Sequence, residues 1–142
     1  MSFCRSACSS PSGFLDFDGQ TGPRPGLGPA GENVRGADEI KLGVFGLDRD
    51  IDWEGGAYGE DSDLRPGLVD IALARSATAV ENAVLVGDTP VDVEGGLATG
   101  VRVIAVATGR TSAEALRAAG AHSVLADLTD TEAFIKFVVD GS

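Results

Sequence analysis

The chain has 142 residues, 22 acidic against 11 basic for a formal charge of −11, and is 43% hydrophobic but only 6% aromatic. That length bounds it to one domain with a core of Val, Leu, Ala and Ile. The acidic surplus argues against nucleic acid as the main partner, because neutralising phosphates requires a basic face.

Residues 1–33 are rich in Ser, Gly and Pro, above all in Thr21-Gly22-Pro23-Arg24-Pro25-Gly26-Leu27-Gly28-Pro29. Little helix or strand is expected there, since Gly is conformationally free and Pro lacks a donor. The run Gly13-Phe14-Leu15-Asp16-Phe17-Asp18-Gly19 is the exception, apolar-leaning and ending in carboxylates. Cys4 and Cys8 define neither a disulfide framework nor a four-ligand zinc site. The start lacks the apolar region of a signal peptide and no run reaches membrane-spanning length, so no membrane role and a cytoplasmic location are expected.

From residue 34 onward the text is a regular alternation, and 34–142 reads as the folded core. Residues 36–45 predict a helix, with Ala37, Ile40, Leu42, Val44 and Phe45 available for burial and Gly46 as its stop. Ile51–Tyr58 predicts a short strand or turn, with Trp53 and Tyr58 covering a sheet edge. A helix over 66–76 opens at Pro66, where the missing N–H costs nothing, and places Leu68, Ile71, Ala72 and Arg75 on one face. Ala83-Val84-Leu85-Val86 is an apolar run of the kind a parallel strand covered on both faces requires. A helix over 90–99, a strand over 101–106, a helix with Thr111 as N-cap and Glu114 completing a capping box, a strand over 123–125 and a helix over 129–139 follow. Strands alternating with helices through short links imply right-handed crossovers, hence an α/β fold with a doubly wound parallel sheet.

Ligands in such sheets gather beyond the carboxyl ends of the strands. Asp88 follows the predicted strand directly, and Asp92 comes one helical turn later. That spacing lets both carboxylates approach one ion, which suits magnesium, a hard cation that prefers oxygen. The same residues also read as an N-cap and a first-turn acid favoured by the helix dipole.

The longer text from Gly87-Asp88-Thr89-Pro90-Val91-Asp92 to Ala107-Thr108-Gly109, with Ala119-Gly120-Ala121-His122-Ser123-Val124-Leu125-Ala126-Asp127-Leu128 behind it, resembles the haloacid dehalogenase superfamily and its phosphoglycolate phosphatase-like group. The likeness is most specific over 83–128 and runs over roughly the last 100 residues. It implies a Rossmann-like hydrolase core and a magnesium-dependent phosphatase acting on a small phosphorylated substrate. In that chemistry a first-motif aspartate attacks phosphorus to form an aspartyl-phosphate, and a second aspartate serves as general acid and base. Carried over, Asp16 and Asp18 would be the catalytic pair, Arg65 the basic residue facing nucleophile and phosphate with Lys41 as fallback, and Asp16, Asp18, Asp88 and Asp92 the Mg2+ ligands.

The chain departs from the family pattern in several places. Gln20 stands where the first motif has Thr or Val, and Pro11, Ser12 and Gly13 stand where its strand should be apolar. Ala30–Gly36 resembles the segment after the second motif, yet no apolar strand or hydroxyl precedes it. The cap domain is missing between Thr21 and Asn33. These departures imply a truncated or internally deleted member, and they keep open an alternative function as a catalytically impaired fragment acting as a binding module. A receiver-like phosphoacceptor domain is disfavoured, because its acid pair comes early in the chain. His122, the lone histidine, is expected on the surface or in packing.

Overall fold

The computed structural model describes residues 2–7, 14–15, 21–22, 25–46 and 48–140, with side chains from residue 27 onward. Strands β1 (Ser2–Ala7), β4 (Pro25–Ala30), β5 (Ala83–Gly87), β6 (Arg102–Val106) and β7 (Ser123–Leu125) form one sheet in the order β4-β1-β5-β6-β7. β2 (Phe14–Leu15) and β3 (Thr21–Gly22) pair with each other in a separate two-stranded sheet. The helices are α1 (Arg35–Val44), α2 (Arg65–Arg75), α3 (Pro90–Thr99), α4 (Ala113–Ala118) and α5 (Thr131–Asp140).

The α/β core follows from period-two patterning. β5 and β6 run parallel with Leu85 opposite Val103 and Val86 opposite Ile104, and β6 continues parallel to β7. Successive side chains of a strand point to opposite faces. Ala83, Leu85, Val103 and Ala105 therefore pack with Leu68, Val69, Ala72, Val93 and Leu116 of α2, α3 and α4. Val84 and Ile104 face the other way and meet Val138, Phe134 and Phe137 of α5. Helices thus cover both faces, as a doubly wound sheet requires.

α3 carries glycines where it touches the sheet and α2. A Cβ on Gly96 would overlap the Val103 side chain, and one on Gly95 would meet the stem of Arg65. Gly100 ends α3 in the left-handed region at φ 78, a conformation that glycine adopts without a Cβ penalty.

Four local expectations change. The Gly/Pro-rich segment 1–33 contributes β1 and β4 to the main sheet. β4 tolerates its prolines because it is an edge strand, where a missing N–H breaks no ladder; Pro29 instead accepts from Ala57 N–H at 2.9 Å. β1 runs antiparallel to both neighbours, so the sheet is parallel from β5 to β7 and mixed at β1. In α1, Ile40, Val44 and Phe45 are exposed and Asp38 is the buried residue, because the helix projects its apolar stripe away from the sheet. The N-cap of α4 is Ser112, whose hydroxyl accepts from Ala115 N–H at 3.2 Å, rather than Thr111.

Candidate functional site at the carboxyl edge of the sheet

Three chain segments meet beyond the carboxyl ends of β4 and β5. The first is the turn Gly87-Asp88-Thr89 leading into α3. Thr89 is the N-cap of that helix: its hydroxyl accepts from Asp92 N–H at 3.2 Å and donates to Asp92 Oδ2 at 2.8 Å. The same Oδ2 accepts from the backbone N–H groups of Asp88 and Thr89, each at 3.2 Å. A carboxylate at the third helical position that reaches back to the cap satisfies orphan donors reciprocally. Asp92 is consequently 1% exposed. Gly87 is required here by space, since a Cβ would overlap the Asp92 side chain.

The second segment is the start of α2. Arg65 lays its stem along Gly95 and brings its Nε to 3.0 Å from Asp92 Oδ1, an ion pair without the alignment of a hydrogen bond. Its Nη1 donates to the Ala30 carbonyl at 3.0 Å. The guanidinium, on a side chain only 10% exposed, thereby ties the end of β4 to the turn after β5. Glu32 stands further out, 3.9 Å from Nη2.

The third is the loop 107–112 after β6. It is anchored at one end by Ala107 N–H donating to the Leu125 carbonyl at 2.8 Å and at the other by the Ser112 cap. Between these anchors Gly109 faces the Asp88 side chain, whose Oδ2 occupies the space a Cβ at 109 would need.

Asp88, Asp92 and Arg65 are therefore brought together, and they play different parts. Both oxygens of Asp92 are engaged by the chain itself. Asp88 is half-buried, and no donor among the described residues meets its carboxylate. Asp16 and Asp18 lie outside the described residues. Lys41 is exposed on α1. Among the described residues no three His, Cys, Asp or Glu side chains converge on one point. The donor chemistry that Asp88 and Asp92 offer is nonetheless oxygen only, the kind a hard cation such as Mg2+ takes.

At the position between β4 and β5 the edge is met by Ser2, where β1 begins, because β1 runs backwards; its carboxyl end, Ala7, stands opposite Pro25 at the far edge. The sequence nominates Asp88, Asp92 and Arg65, which the fold brings together, but assigns no role to Thr89 or Gly109. The Thr-x-x-Asp spacing before an apolar helix was a usable signal for Thr89; Gly109 carried none. His122 is exposed, and its Nδ1 accepts from Val103 N–H at 3.0 Å, a packing role. Tyr58 is buried and donates to the Trp53 carbonyl at 2.6 Å.

Residues 62–131, from the approach to α2 through β7, match the family model described as HAD-hydrolase-like. Over that stretch, just under half of the chain, the sequence is that of a haloacid dehalogenase (HAD)-like hydrolase. The HAD-like match takes in Arg65, Asp88, Asp92 and Gly109 and leaves out β1, β4 and α1. Two solved structures share the fold. A predicted phosphatase from Clostridium acetobutylicum superposes with a TM-score of 0.66 at 23% identity, covering 76% of this chain and 50% of that one. A HAD family hydrolase from Deinococcus radiodurans R1, solved with bound phosphate and sodium, gives 0.59 at 24% identity, covering 78% and 51%. The chain thus spans about half the length of these structures. No curated protein sequence matches it significantly. No helix among the described residues is long and apolar enough to cross a membrane.

Proposed function

We propose that this edge is the metal-facing half of a phosphomonoester hydrolase site that works with magnesium on a small phosphorylated metabolite. The observation that carries the reading is the Asp88 carboxylate, free of described donors at the carboxyl edge of β5 and held by a turn that Thr89, Asp92 and Arg65 brace. In this reading Asp88 is the direct Mg2+ ligand and Asp92 acts behind it, fixing the turn or reaching the ion through water. Charge compensation between phosphate and carboxylate is what magnesium supplies when bound.

The reaction then needs a nucleophile. Asp16 would attack phosphorus as the bond to the leaving alkoxide breaks, and Asp18 would give that alkoxide its proton. A water deprotonated by Asp18 would next attack phosphorus, releasing phosphate and restoring Asp16. Arg65 would balance the anionic charge gathered at the edge. The acidic surface agrees with a small substrate rather than nucleic acid, and a cytoplasmic location goes with a pool of phosphorylated metabolites.

A second reading rests on a different observation. The position between β4 and β5 is filled by the reversed β1, while Phe14–Leu15, which leads into Asp16, pairs in the separate small sheet. On that reading the chain keeps the binding half of the site without its nucleophile and serves as a binding module. Hydrolysis of an aryl phosphate with and without Mg2+, comparing the wild type with Asp16→Asn and Asp88→Asn, separates the two. Magnesium-dependent turnover abolished by both substitutions supports the hydrolase. Turnover unchanged by Asp16→Asn removes that nucleophile, and no turnover from folded protein selects the binding module.

A further inference from the structure

We infer that Gly109 is a positioning residue for Asp88: its missing side chain lets the loop after β6 close against the carboxylate and hold it in its metal-facing orientation. The inference rests on the reading of Asp88 as a magnesium ligand. Its geometric basis is the overlap between a Cβ at 109 and Asp88 Oδ2, with Asp88 Cγ and Cβ 3.3 and 3.6 Å away. The three atoms nearest that space all belong to Asp88.

The demand for glycine at 109 is one of volume rather than of backbone. Among the described residues the left-handed glycines are Gly46, Gly100 and Gly120, and Gly109 is not one of them, so its φ is open to alanine. Gly109 is also exposed, in a loop fixed at both ends by Ala107 and Ser112. An added methyl group therefore leaves the core alone. The atom that has to yield is the tip of a side chain with two free torsions, which can swing away at little cost to folding. What the swing removes is the position of the carboxylate. Stability and metal binding should separate at this residue, whereas a merely structural glycine would lose both together.

Isothermal titration of MgCl2 into the full chain, alongside thermal unfolding, tests this with Gly109→Ala, Asp88→Asn and Thr108→Ala. The expected pattern is Mg2+ binding by the wild type, loss of binding in Asp88→Asn, and binding weakened by about tenfold or more in Gly109→Ala, the scale seen when a ligand's supporting group is removed. Thr108→Ala, an exposed neighbour, should bind as the wild type does. Tm of Gly109→Ala should stay at or slightly above the wild-type value, as a compatible Gly→Ala change in a loop predicts. Wild-type affinity in Gly109→Ala, with binding lost in Asp88→Asn, overturns the role of Gly109 alone. A parallel fall of Tm and affinity in Gly109→Ala also overturns it, because the residue is then structural. Absence of Mg2+ binding by the wild type overturns the reading of Asp88, and the role of Gly109 goes with it.

Discussion

Arg65 sits with its stem on Gly95 and its head between the Ala30 carbonyl and Asp92, nearly out of solvent on both sides of the pair. A buried ion pair of this kind contributes little net stability compared with an apolar replacement of both partners, but removing one partner strands the other charge. Arg65→Met should accordingly lower unfolding stability by on the order of 3 kcal/mol, measured by urea denaturation. The double variant Arg65→Met/Asp92→Asn should lose less than the sum of the single changes, since the stranded carboxylate is gone. Tyr58, the only tyrosine of the chain, offers a pH-dependent test. Burial pushes its phenol up to about 12, against about 10 in an unfolded chain. Below pH 10 the phenol is protonated in both states and its contribution is intact; above it the unfolded state ionises first, so stability is lost as pH rises towards 12. A single-tyrosine absorbance titration should show phenolate forming near pH 12 in the native protein. A midpoint near 10 would place the hydroxyl in water.

Elements were largely visible in the sequence, but the faces they bury were less so. β5, β6, β7 and the helices after them stand within two residues of their expected limits, because each carries a strong period and a stop signal such as Gly100 or Gly120. α1 was equally easy to locate, yet its apolar stripe of Ile40 and Val44 points outward and Asp38, which accepts from Asn33 Nδ2 at 2.9 Å, is inside. Periodicity reports which residues share a face; it does not report whether anything lies opposite. α3 shows the reverse case, a helix whose closeness to the sheet depends on glycine. Alanine is the better helix former by about 1 kcal/mol, but at Gly96 its methyl group would enter the Val103 side chain. Overpacking of this kind costs about 1–3 kcal/mol, so Gly96→Ala should lower Tm despite its higher propensity. A rise in Tm would mean that α3 can move off the sheet.

At the level of the whole molecule, the site is assembled from residues distant in the chain, and this is where legibility ends. Asp88 and Asp92 could be paired from their spacing alone, since one helical turn brings them together. Arg65 could be nominated from its place before Pro66, but its contact with both Asp92 and Ala30 depends on α2 packing across α3 beside β4. Gly109 stands in the resembling stretch but without a role, because its closeness to Asp88 joins the ends of two different strands. The strand between β4 and β5 departs furthest from the sequence reading. β1 fills that position in reverse, from a segment whose composition suggests little strand. Composition describes intrinsic preference, and here the unpaired edges of β4 and β5 supply the partners that override it.

By itself, then, the sequence determined the α/β class, the order of elements after residue 34, the acid pair at the end of β5 and the resemblance that led to the HAD-like family. Those features are encoded locally, in periods, caps and short spacings that a linear reading can detect. Only the tertiary structure decided the direction of β1, the brace that Arg65 and Thr89 place on Asp92, and the closeness of Gly109 to Asp88. Each of these is a contact between segments far apart in the chain, set by packing and volume, which no local pattern records.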